Sequence, residues 1–367
     1  MLNKTFYVLL KKNNTMGVTI TGIGSYIPSG IARNEQFKKN DFYNEDGSLF
    51  GQENDVIIEK FKAITGIAER RYITDDLSTS DIATLAAQKA IDSSGINPEE
   101  LDYIIIAHNY GDVKHNTAQS DTVPSIASRV KHNLKILNPS CVGYDVLFGC
   151  PGWIEGVIQA NAFIKSGIAK KCLVVGAEAL SRVVDQHDRD SMIYSDGAGA
   201  VILENIADNS GILSHCSATH TYDEAHFIYF GESNNQELTD ARMYIKMYGR
   251  KIYEFALNHV PDAMKTSLEK SSTDIHELKK IFIHQANEKM DEAIIKRFYG
   301  LYNMTPPEGI MPMTIDKLGN SSVATVPTLY DLVLNGKLEG HQVSKGDIVM
   351  FASVGAGMNI NAIVYRV

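Results

Sequence analysis

The feature that most constrains this chain is a helix that is apolar on nearly every side. The stretch from Pro151 to Ser166 has the pattern of this helix, and Gly167 ends it. Glu155, Gln159 and Asn161 are the polar exceptions. Because a helix without a polar face is normally buried between layers, the chain needs packing partners on both sides of it.

Strand and helix signals alternate along the rest of the chain. Leu101–Ala107 and Lys171–Gly176 are short apolar runs, the form expected of fully buried strands. Asp81–Ser94 has a helical pattern, with Ser80 or Asp81 as its N-cap and Gly95 as its stop. This order of elements predicts an α/β fold.

Composition excludes several classes of protein. With 367 residues, the chain is long enough for two or more cores or for one large fused α/β unit. The net charge of −9 argues against a generally nucleic-acid-binding surface. No apolar run approaches the roughly 20 residues that a membrane span requires, so we expect neither a nucleic-acid partner nor a membrane.

Cysteine usage indicates the compartment. The chain has four cysteines and no C-x-x-C pair, which suggests neither a disulfide framework nor a zinc site. We therefore expect reduced thiols in the cytoplasm and no bound metal. The four residues are Cys141, Cys150, Cys172 and Cys216.

The domain organisation is predicted from a first strand and an internal echo. Gly17–Gly22 reads as the first strand, so residues 1–15 are predicted to be a dispensable extension. Asp196–Leu203 and Ser353–Ile360 both read as a glycine turn joined to an apolar strand. The echo suggests two similar halves, 16–205 and 206–367, and the stretch 209–242 between the two runs reads as a polar loop.

Cys150 is the first candidate for catalysis. It lies at the predicted start of the apolar helix, where free N–H groups and partial positive charge lower the pKa of a thiol. Its own backbone N–H is placed to hold a developing oxyanion if the thiol is acylated. Taken alone, a cysteine in an apolar run is more often a small core residue.

Two polar residues complete a chemical set with this cysteine. His284 follows the apolar run Ile281–Ile283, and Asn320 precedes a helical pattern at Val323–Leu334. A neutral imidazole and an amide can both donate hydrogen bonds to a thioester oxygen. Separately, His284 also suits a capping role and Asn320 a simple N-cap.

Five short runs carry the strongest resemblance to a known family. They are Thr65-Gly-Ile67 with Glu69-Arg70, Phe148-Gly-Cys-Pro-Gly152, Asp196-Gly-Ala-Gly-Ala200, His284-Gln-Ala-Asn287 and Gly319-Asn-Ser-Ser322. In their order and spacing the sequence resembles the β-ketoacyl-ACP synthase III family from about Val18 to Val367, and the runs are specific in combination rather than singly.

The resemblance implies a thiolase-like fold and a homodimer. Each half would be a βαβαβαββ-type unit, and together they would form five alternating layers, α-β-α-β-α. The first half would hold the nucleophilic cysteine, and the second half the histidine and asparagine. No cofactor is implied, since acyl-CoA or acyl-ACP and malonyl-ACP are substrates.

The resemblance also implies the reaction. Cys150 would take an acyl group from its donor, and His284 with Asn320 would stabilise the enolate formed when malonyl-ACP loses carbon dioxide. The enolate would attack the acyl-cysteine and give a β-ketoacyl-ACP, the first step of fatty-acid synthesis. A further oxyanion donor would come from the turn formed by Gly355, Ala356 and Gly357.

Five basic residues are the candidates for binding CoA or the carrier protein. Lys289, Lys296 and Arg297 share one helical face, and Arg250 extends this patch. An acidic carrier protein would be attracted to such a surface, although a solvated helix face has the same pattern. Arg189 could contact the adenine or a phosphate of CoA.

This chain departs from the family at the donor site and the acyl pocket. Family members that use acetyl-CoA commonly stack a Trp on the adenine, but here Lys60–Ile64 stands before the Thr65 run. The segments 37–54 and 112–124 are long, and Val354 replaces a common Phe. We therefore expect a starter group other than acetyl.

Other functions stay open at this point. A ketosynthase III-like enzyme of secondary metabolism has the same residues, and a non-catalytic subunit that binds acyl carriers has the same fold. Thiolase is disfavoured because no cysteine follows Cys216. A hydroxymethylglutaryl-type synthase is disfavoured because no motif supplies its glutamate base, and the motifs favour the fatty-acid branch over type III polyketide synthases.

Overall fold

The computed structural model describes residues 17–239 and 241–367. The predicted extension 1–15 lies outside these residues. The strands are β1 (Gly17–Tyr26), β2 (Gly30–Arg33), β3 (Glu69–Tyr72), β4 (Tyr103–Ala107), β5 (Val142–Val146), β6 (Lys171–Ala179), β7 (Asp196–Ile206), β8 (Gly211–Thr219), β9 (Ile228–Gly231), β10 (Tyr244–Met247), β11 (Leu278–Ile283), β12 (Ile348–Gly355) and β13 (Asn359–Arg366). The α-helices are α1 (Asn54–Thr65), α2 (Thr79–Ser94), α3 (Ile126–Asn133), α4 (Gly152–Lys165), α5 (Gly249–Ser271), α6 (Glu288–Gly300), α7 (Ile315–Leu318) and α8 (Thr325–Leu334).

Two sheets with the same pattern of strands form the framework. The first has the order β1-β7-β6-β4-β5, and the second has the order β8-β13-β12-β11. In each sheet, in the order given, the first strand pairs antiparallel with the second and the second with the third, and the third pairs parallel with the fourth. The sheets therefore repeat one topology. The predicted division at 205/206 falls at the last residue of β7, just before the short link to β8, and the two domains stay a prediction.

Helices fill the space between the sheets and cover both outer faces. Helices α4 and α8 share one core with both sheets, and Trp153 of α4 packs edge-on against Phe351 of β12 at 5.8 Å. Helices α2 and α3 pack on the outer face of the first sheet, and α5 and α6 on the outer face of the second. This arrangement is the predicted five-layered α-β-α-β-α fold, with the apolar helix at its centre.

The boundaries of two predicted helices change slightly. The predicted helix Pro151–Ser166 is α4, shortened by one residue at each end. Helix α2 begins at Thr79, because the side chain and backbone N–H of Ser78 form a capping box with Asp81. The N-cap is therefore Ser78, rather than the predicted Ser80 or Asp81.

The predicted internal echo is wrong in detail. Asp196–Ala200 lies inside strand β7, whereas Gly355–Gly357 is the true turn between β12 and β13. A Cβ on Gly199 would stand 2.7 Å from Pro327 of α8. The first glycine run is therefore explained by the close approach of the central helix and not by a turn.

The stretch 209–242 also differs from its prediction as a polar loop. It contains β8, which pairs with β13 at the edge of the second sheet, and β9, which pairs with β10. The residues of β8 alternate in exposure from Ser214 onward. An edge strand exposed on one face has many polar residues, which is why its sequence resembles a loop. Within residues 17–239 and 241–367, no helix is long and apolar enough to span a bilayer.

Candidate active site

Cys150 lies in the connection from β5 to α4, with Pro151 as the N-cap residue of the helix. The preceding Gly149 has φ +65°, and a Cβ there would stand 2.6 Å from the backbone N of Ala356. A Cβ on Gly355 would in turn stand 2.4 Å from the backbone N of Cys150. Glycine is required on both sides because these two turns pack backbone against backbone.

His284 is the first residue after β11, and it is 3% exposed. Its backbone N–H donates to the carbonyl of Ala352 at 2.9 Å, so the parallel pairing with β12 fixes its place. Burial lowers the pKa of the imidazole to about 4, against a small opposing effect of the Ser322 backbone. The imidazole is therefore neutral at physiological pH.

Asn320 lies in a loop that precedes α8. Its backbone N–H donates to the Ile193 carbonyl at 3.0 Å, and its carbonyl accepts from Ser195 at 2.8 Å. Its side-chain oxygen accepts the Ser322 N–H at 2.8 Å. The amide is therefore tied to its own loop and is not the N-cap of α8, a position that Ala324 occupies.

Cys150, His284 and Asn320 meet at one cavity, which we call the inner cavity. Its volume is about 90 Å³, and its other walls include Tyr194 and Val354. The three side chains come from chain positions 150, 284 and 320, and the close contact of the two halves brings them together. The predicted set of thiol, imidazole and amide thus surrounds a single space.

A larger space, which we call the outer cavity, leads to the inner cavity. Its volume is about 970 Å³, and five residues line both cavities: Met247, Ile252, Ala286, Met290 and Asn320. Its walls include the start of α5, helix α1 and part of the long segment 37–54. This arrangement provides a route for a long thioester substrate from the surface to the cysteine.

The predicted oxyanion turn lies directly beside the cysteine. Ala356 lines the inner cavity, and its carbonyl accepts from the Asn359 side chain at 2.8 Å. Gly357 has φ +76°, a conformation that favours glycine. The tight β12–β13 connection therefore fixes the backbone of this turn.

The electrostatic environment of Cys150 differs from the prediction. The sequence predicts a thiol pKa below its ordinary value, but burial raises the pKa of Cys150 to about 11. A hydrogen bond from Ser322 Oγ to the sulfur, at 3.4 Å, and the backbone N–H at the helix start act in the opposite direction. Desolvation is the larger effect because the sulfur lies at an apolar helix between two sheets.

The five predicted basic residues divide into two groups. Arg189 and Arg250 line the outer cavity. Lys289, Lys296 and Arg297 lie on the exposed face of α6, and the side chain of Arg297 donates to Leu257 and Asn258 of α5. The sequence pattern grouped Arg250 with the α6 residues, whereas the structure places it with Arg189.

Several residues at the site are not predicted from the sequence. The guanidinium of Arg189 lies 4.7 Å from the ring centre of Phe50, which belongs to the long segment 37–54. Asn109 and Ser322 line the inner cavity. The length of segment 37–54 was the available signal for Phe50, and Ser322 was visible as the last residue of the Gly319 run.

The comparisons with known proteins agree with this fold and site. A model of the 3-oxoacyl-[acyl-carrier-protein (ACP)] synthase III family matches residues 144–221, and a model of its C-terminal part matches 268–367. The chain is 31% identical to the beta-ketoacyl-[acyl-carrier-protein] synthase III of Aquifex aeolicus, over 96% of this chain and all of that protein.

Solved structures give the same picture. The crystal structure of 3-oxoacyl-[acyl-carrier-protein] synthase III from Aquifex aeolicus matches with a TM-score of 0.77 and 29% identity, over 96% of this chain and 100% of that chain. The priming beta-ketosynthase of the R1128 polyketide pathway shares the fold at a TM-score of 0.78 and 22% identity, with 96% of each chain covered. Fold and site together define a condensing enzyme of the thiolase-like class. More narrowly, the chain belongs to the β-ketoacyl-[acyl-carrier-protein] synthase III family.

Proposed function

We propose that this protein condenses an acyl thioester starter with malonyl-ACP to give a β-ketoacyl-ACP, and so initiates fatty-acid synthesis. The observation that carries this proposal is the convergence of Cys150, His284 and Asn320 on the inner cavity. A thiol, a neutral imidazole and an amide are the groups that acyl transfer and enolate stabilisation require. Membership of the family supports the same reaction.

In the first step, the Cys150 sulfur attacks the starter thioester. A new carbon–sulfur bond forms, the bond to the donor thiol breaks, and the thiol proton leaves with the donor. The backbone N–H of Cys150 and the turn Gly355–Gly357 are proposed to hold the oxyanion. Because burial raises the pKa of the free thiol to about 11, the nucleophile is activated within the substrate complex rather than stored as a thiolate.

In the second step, malonyl-ACP loses carbon dioxide. The electrons of the broken carbon–carbon bond move to the thioester oxygen, which accepts hydrogen bonds from His284 and Asn320. The resulting enolate attacks the acyl group on Cys150, and the cysteine leaves as a thiolate that regains a proton. A neutral His284 suits this step, because its N–H can donate without placing a fixed positive charge in a buried site.

The starter is proposed to be short but larger than acetyl. An engineered cavity of about 150 Å³ holds a benzene ring, so the inner cavity of about 90 Å³ suits an acyl group of roughly three or four carbons. Val354, where a larger Phe would reduce this space, lines the cavity and supports the proposal.

Donor and carrier are proposed to enter through the outer cavity. Arg189 and Phe50 offer a cation and an aromatic face to the adenine of an acyl-CoA. The exposed α6 residues Lys289, Lys296 and Arg297 are proposed to attract the acidic carrier protein. Arg250, at the rim of the outer cavity, serves either substrate.

The protein is also proposed to act as a homodimer. Strand β5 is the edge of the first sheet; Val142, its first residue, is 46% exposed, and Leu147, the residue after it, is 67% exposed. An exposed apolar sheet edge favours pairing with another copy. Sedimentation of the wild type and of Leu147→Asp would test this, and a monomeric wild type would contradict it.

The central experiment is intact-protein mass spectrometry after incubation with a panel of acyl-CoAs and acyl-ACPs, followed by peptide mapping. We expect an acyl group on Cys150 from one donor class, and a β-ketoacyl product once malonyl-ACP is added. If no donor acylates the folded, reduced protein, the result would instead favour a non-catalytic subunit that binds acyl carriers. Acylation without turnover of malonyl-ACP would contradict the proposed reaction.

A further inference from the structure

A chain of hydrogen bonds runs from a buried carboxyl group to the cysteine. Glu178 of β6 is 1% exposed, and its Oε2 accepts from the backbone N and side-chain Nδ2 of Asn109, at 3.0 and 2.6 Å. The same Nδ2 donates to Ser322 Oγ at 3.2 Å. Ser322 Oγ lies 3.4 Å from Cys150 Sγ. Three side chains from different elements thus connect β6 to the sulfur.

In this chain of hydrogen bonds, the donor and acceptor at each step are fixed, because each group has a limited number of protons. Oε2 of Glu178 accepts from the backbone N–H of Asn109, so this oxygen is an acceptor, and the side-chain amide of Asn109 must turn its NH₂ group toward it. That NH₂ group then also donates to Ser322 Oγ. The serine hydroxyl has a single proton, which it keeps for another acceptor, and the sulfur of Cys150 is the acceptor beside it.

The segment that holds Asn109 is fixed by a second buried contact. Nε2 of His108 lies 3.0 Å from an Asp145 carboxylate oxygen, and Nδ1 of His108 accepts from the Gly111 N–H at 3.0 Å. Asp145 belongs to β5, which leads into the Cys150 connection. The positions of Asn109 and Cys150 are therefore both set by strand β5.

The backbone of Ser322 gives an independent indication that its hydroxyl matters. Ser322 has φ +52°, a left-handed conformation that costs energy for residues with a side chain. Glycine would adopt this conformation without strain. A serine at this position places a hydroxyl against the sulfur at a cost that a glycine would avoid.

We infer that Glu178 is a positioning residue that, through Asn109, directs the Ser322 hydroxyl proton toward the Cys150 sulfur. This inference rests on the proposed function of Cys150 as nucleophile. The donated hydrogen bond stabilises the thiolate relative to the thiol, in a site where desolvation does the opposite. His108 and Asp196 are the titratable neighbours of Glu178, and burial raises the pKa of Glu178 itself to about 7.

The test measures the reactivity of the thiol separately from the condensation. The rate of Cys150 alkylation by iodoacetamide is followed by peptide mass across a range of pH. We expect Ser322→Gly to slow alkylation near neutral pH by about tenfold, the effect of losing one hydrogen bond to a charged group. The substitution adds no backbone strain, because glycine suits the left-handed conformation, so strain should not lower the melting temperature.

Two further variants test the direction of the chain. Glu178→Gln allows the Asn109 amide to turn over and accept the serine proton, so alkylation should slow in the same sense and Glu178→Asp should recover part of the rate. Glu204→Gln is the matched control, because Glu204 lies on the neighbouring β7 and hydrogen-bonds Thr21 instead. If Glu178→Gln fails to fold, Asn109→Ala takes its place.

Equal alkylation rates in the wild type, Ser322→Gly and the Glu178 or Asn109 variant would overturn the inference. A slower rate in Ser322→Gly with an unchanged rate in the Glu178 or Asn109 variant would overturn the role given to Glu178. Acylation of the wild-type cysteine is measured in parallel by intact mass. If the wild type is not acylated but the variants still show the expected slower alkylation, the proposed function alone is overturned, so the two failures are distinguishable.

Discussion

The inner and outer cavities have walls of different kinds. The three catalytic candidates in the inner cavity lie at a strand end and in tight connections, with His284 3% and Asn320 5% exposed. The outer cavity is formed by helix faces and by segment 37–54, and the side chain of Arg250 at its rim is 92% exposed. The candidate catalytic residues thus lie on buried backbone, while the candidate residues for substrate binding have longer and more exposed side chains.

This difference leads to an ordered set of expectations. Changes at the inner cavity should remove whole steps of the reaction, because its groups act on reacting atoms in a desolvated space. Changes at the outer cavity should alter affinity by smaller factors, because exposed charges and stacked rings contribute less. The following predictions are ordered from the largest expected effect to the smallest.

The largest effect is expected from Cys150→Ser. Loss of the thiol should abolish the acyl-enzyme and lower the condensation rate by roughly 10³-fold or more. Intact mass after incubation with the best donor checks the first part, and product formation checks the second. Normal condensation by a purified, folded Cys150→Ser protein would show that the inner cavity does not hold the nucleophile.

Loss of either enolate donor should be the next largest effect. His284→Ala or Asn320→Ala should slow malonyl decarboxylation by roughly 10²–10³-fold, the usual cost of removing one oxyanion donor. Acylation of Cys150 should stay nearly unchanged, since these side chains act on the second substrate. Release of carbon dioxide and acyl-enzyme mass are measured on the same samples. Loss of acylation would instead mean that these residues act on the thiol.

The protonation of His284 gives a further check of the same assignment. With its pKa lowered to about 4 by burial, the imidazole should show no titration between pH 5.5 and 7.5 in NMR spectra, with His284→Ala to assign its signals. Because the unfolded chain binds more protons than the native state between about pH 4 and 6.5, this residue should also lower stability as pH falls through that window. A His284 titration near pH 6.5 would place the side chain in water.

A smaller effect is expected at the far wall of the inner cavity. Val354→Phe should lower kcat/KM for starters of about four carbons roughly tenfold relative to acetyl, since one methylene group in a pocket is worth at least that much. Val354→Ala is the reciprocal variant and should favour the larger starter. Competition between two acyl-CoAs measures the ratio directly. An unchanged ratio in both variants would show that Val354 does not limit the acyl group.

The outer cavity should respond more weakly and only to one donor. Phe50→Ala should raise KM for acyl-CoA about tenfold with kcat unchanged, the result of losing one stacking surface. The KM for an acyl-ACP donor should not change, because it has no adenine. Tyr222→Ala is the control, because that ring is 97% exposed and does not line either cavity. A fall in kcat would mean that Phe50 affects the chemistry rather than binding.

The smallest effects are expected on α6. Lys289→Glu or Lys296→Glu should weaken carrier binding a few-fold at low salt and less at high salt, as for exposed charges. Arg297→Glu should have less effect on binding, because its side chain is held by Leu257 and Asn258. Lys345→Glu provides a control, because this exposed lysine pairs with Asp208. Unchanged carrier affinity in all of the α6 variants would rule this surface out.

Local sequence patterns predicted much of the fold. The apolar helix and the strands at 101–107 and 171–176 were identified from periodicity, because burial leaves a direct record in side-chain polarity. Strand β8 was not predicted, because a strand that is only partly buried lacks a continuous apolar run. One of its faces is exposed, so its alternating polar residues gave the pattern of a loop.

The candidate site was predicted unequally. Cys150, His284 and Asn320 were identified because each lies in a short run whose glycines or strand end constrain the backbone. Phe50 and Asn109 were not identified, since their roles depend on contacts with residues about 140 and 70 positions away. The pKa of Cys150 was predicted in the wrong direction, because helix position is visible in a sequence while desolvation by two sheets is not.

The sequence by itself determined the central buried helix, the family resemblance and the candidate residues for catalysis. Each of these depends on residue types at short spacing, which steric and polar rules read locally. Only the tertiary structure decided that Arg250 lies with Arg189, that Phe50 packs on Arg189, and that Glu178 reaches the sulfur through Asn109 and Ser322. The physical reason is that these contacts join segments far apart in the chain, and the packing of the two sheets around α4 and α8 sets their distances.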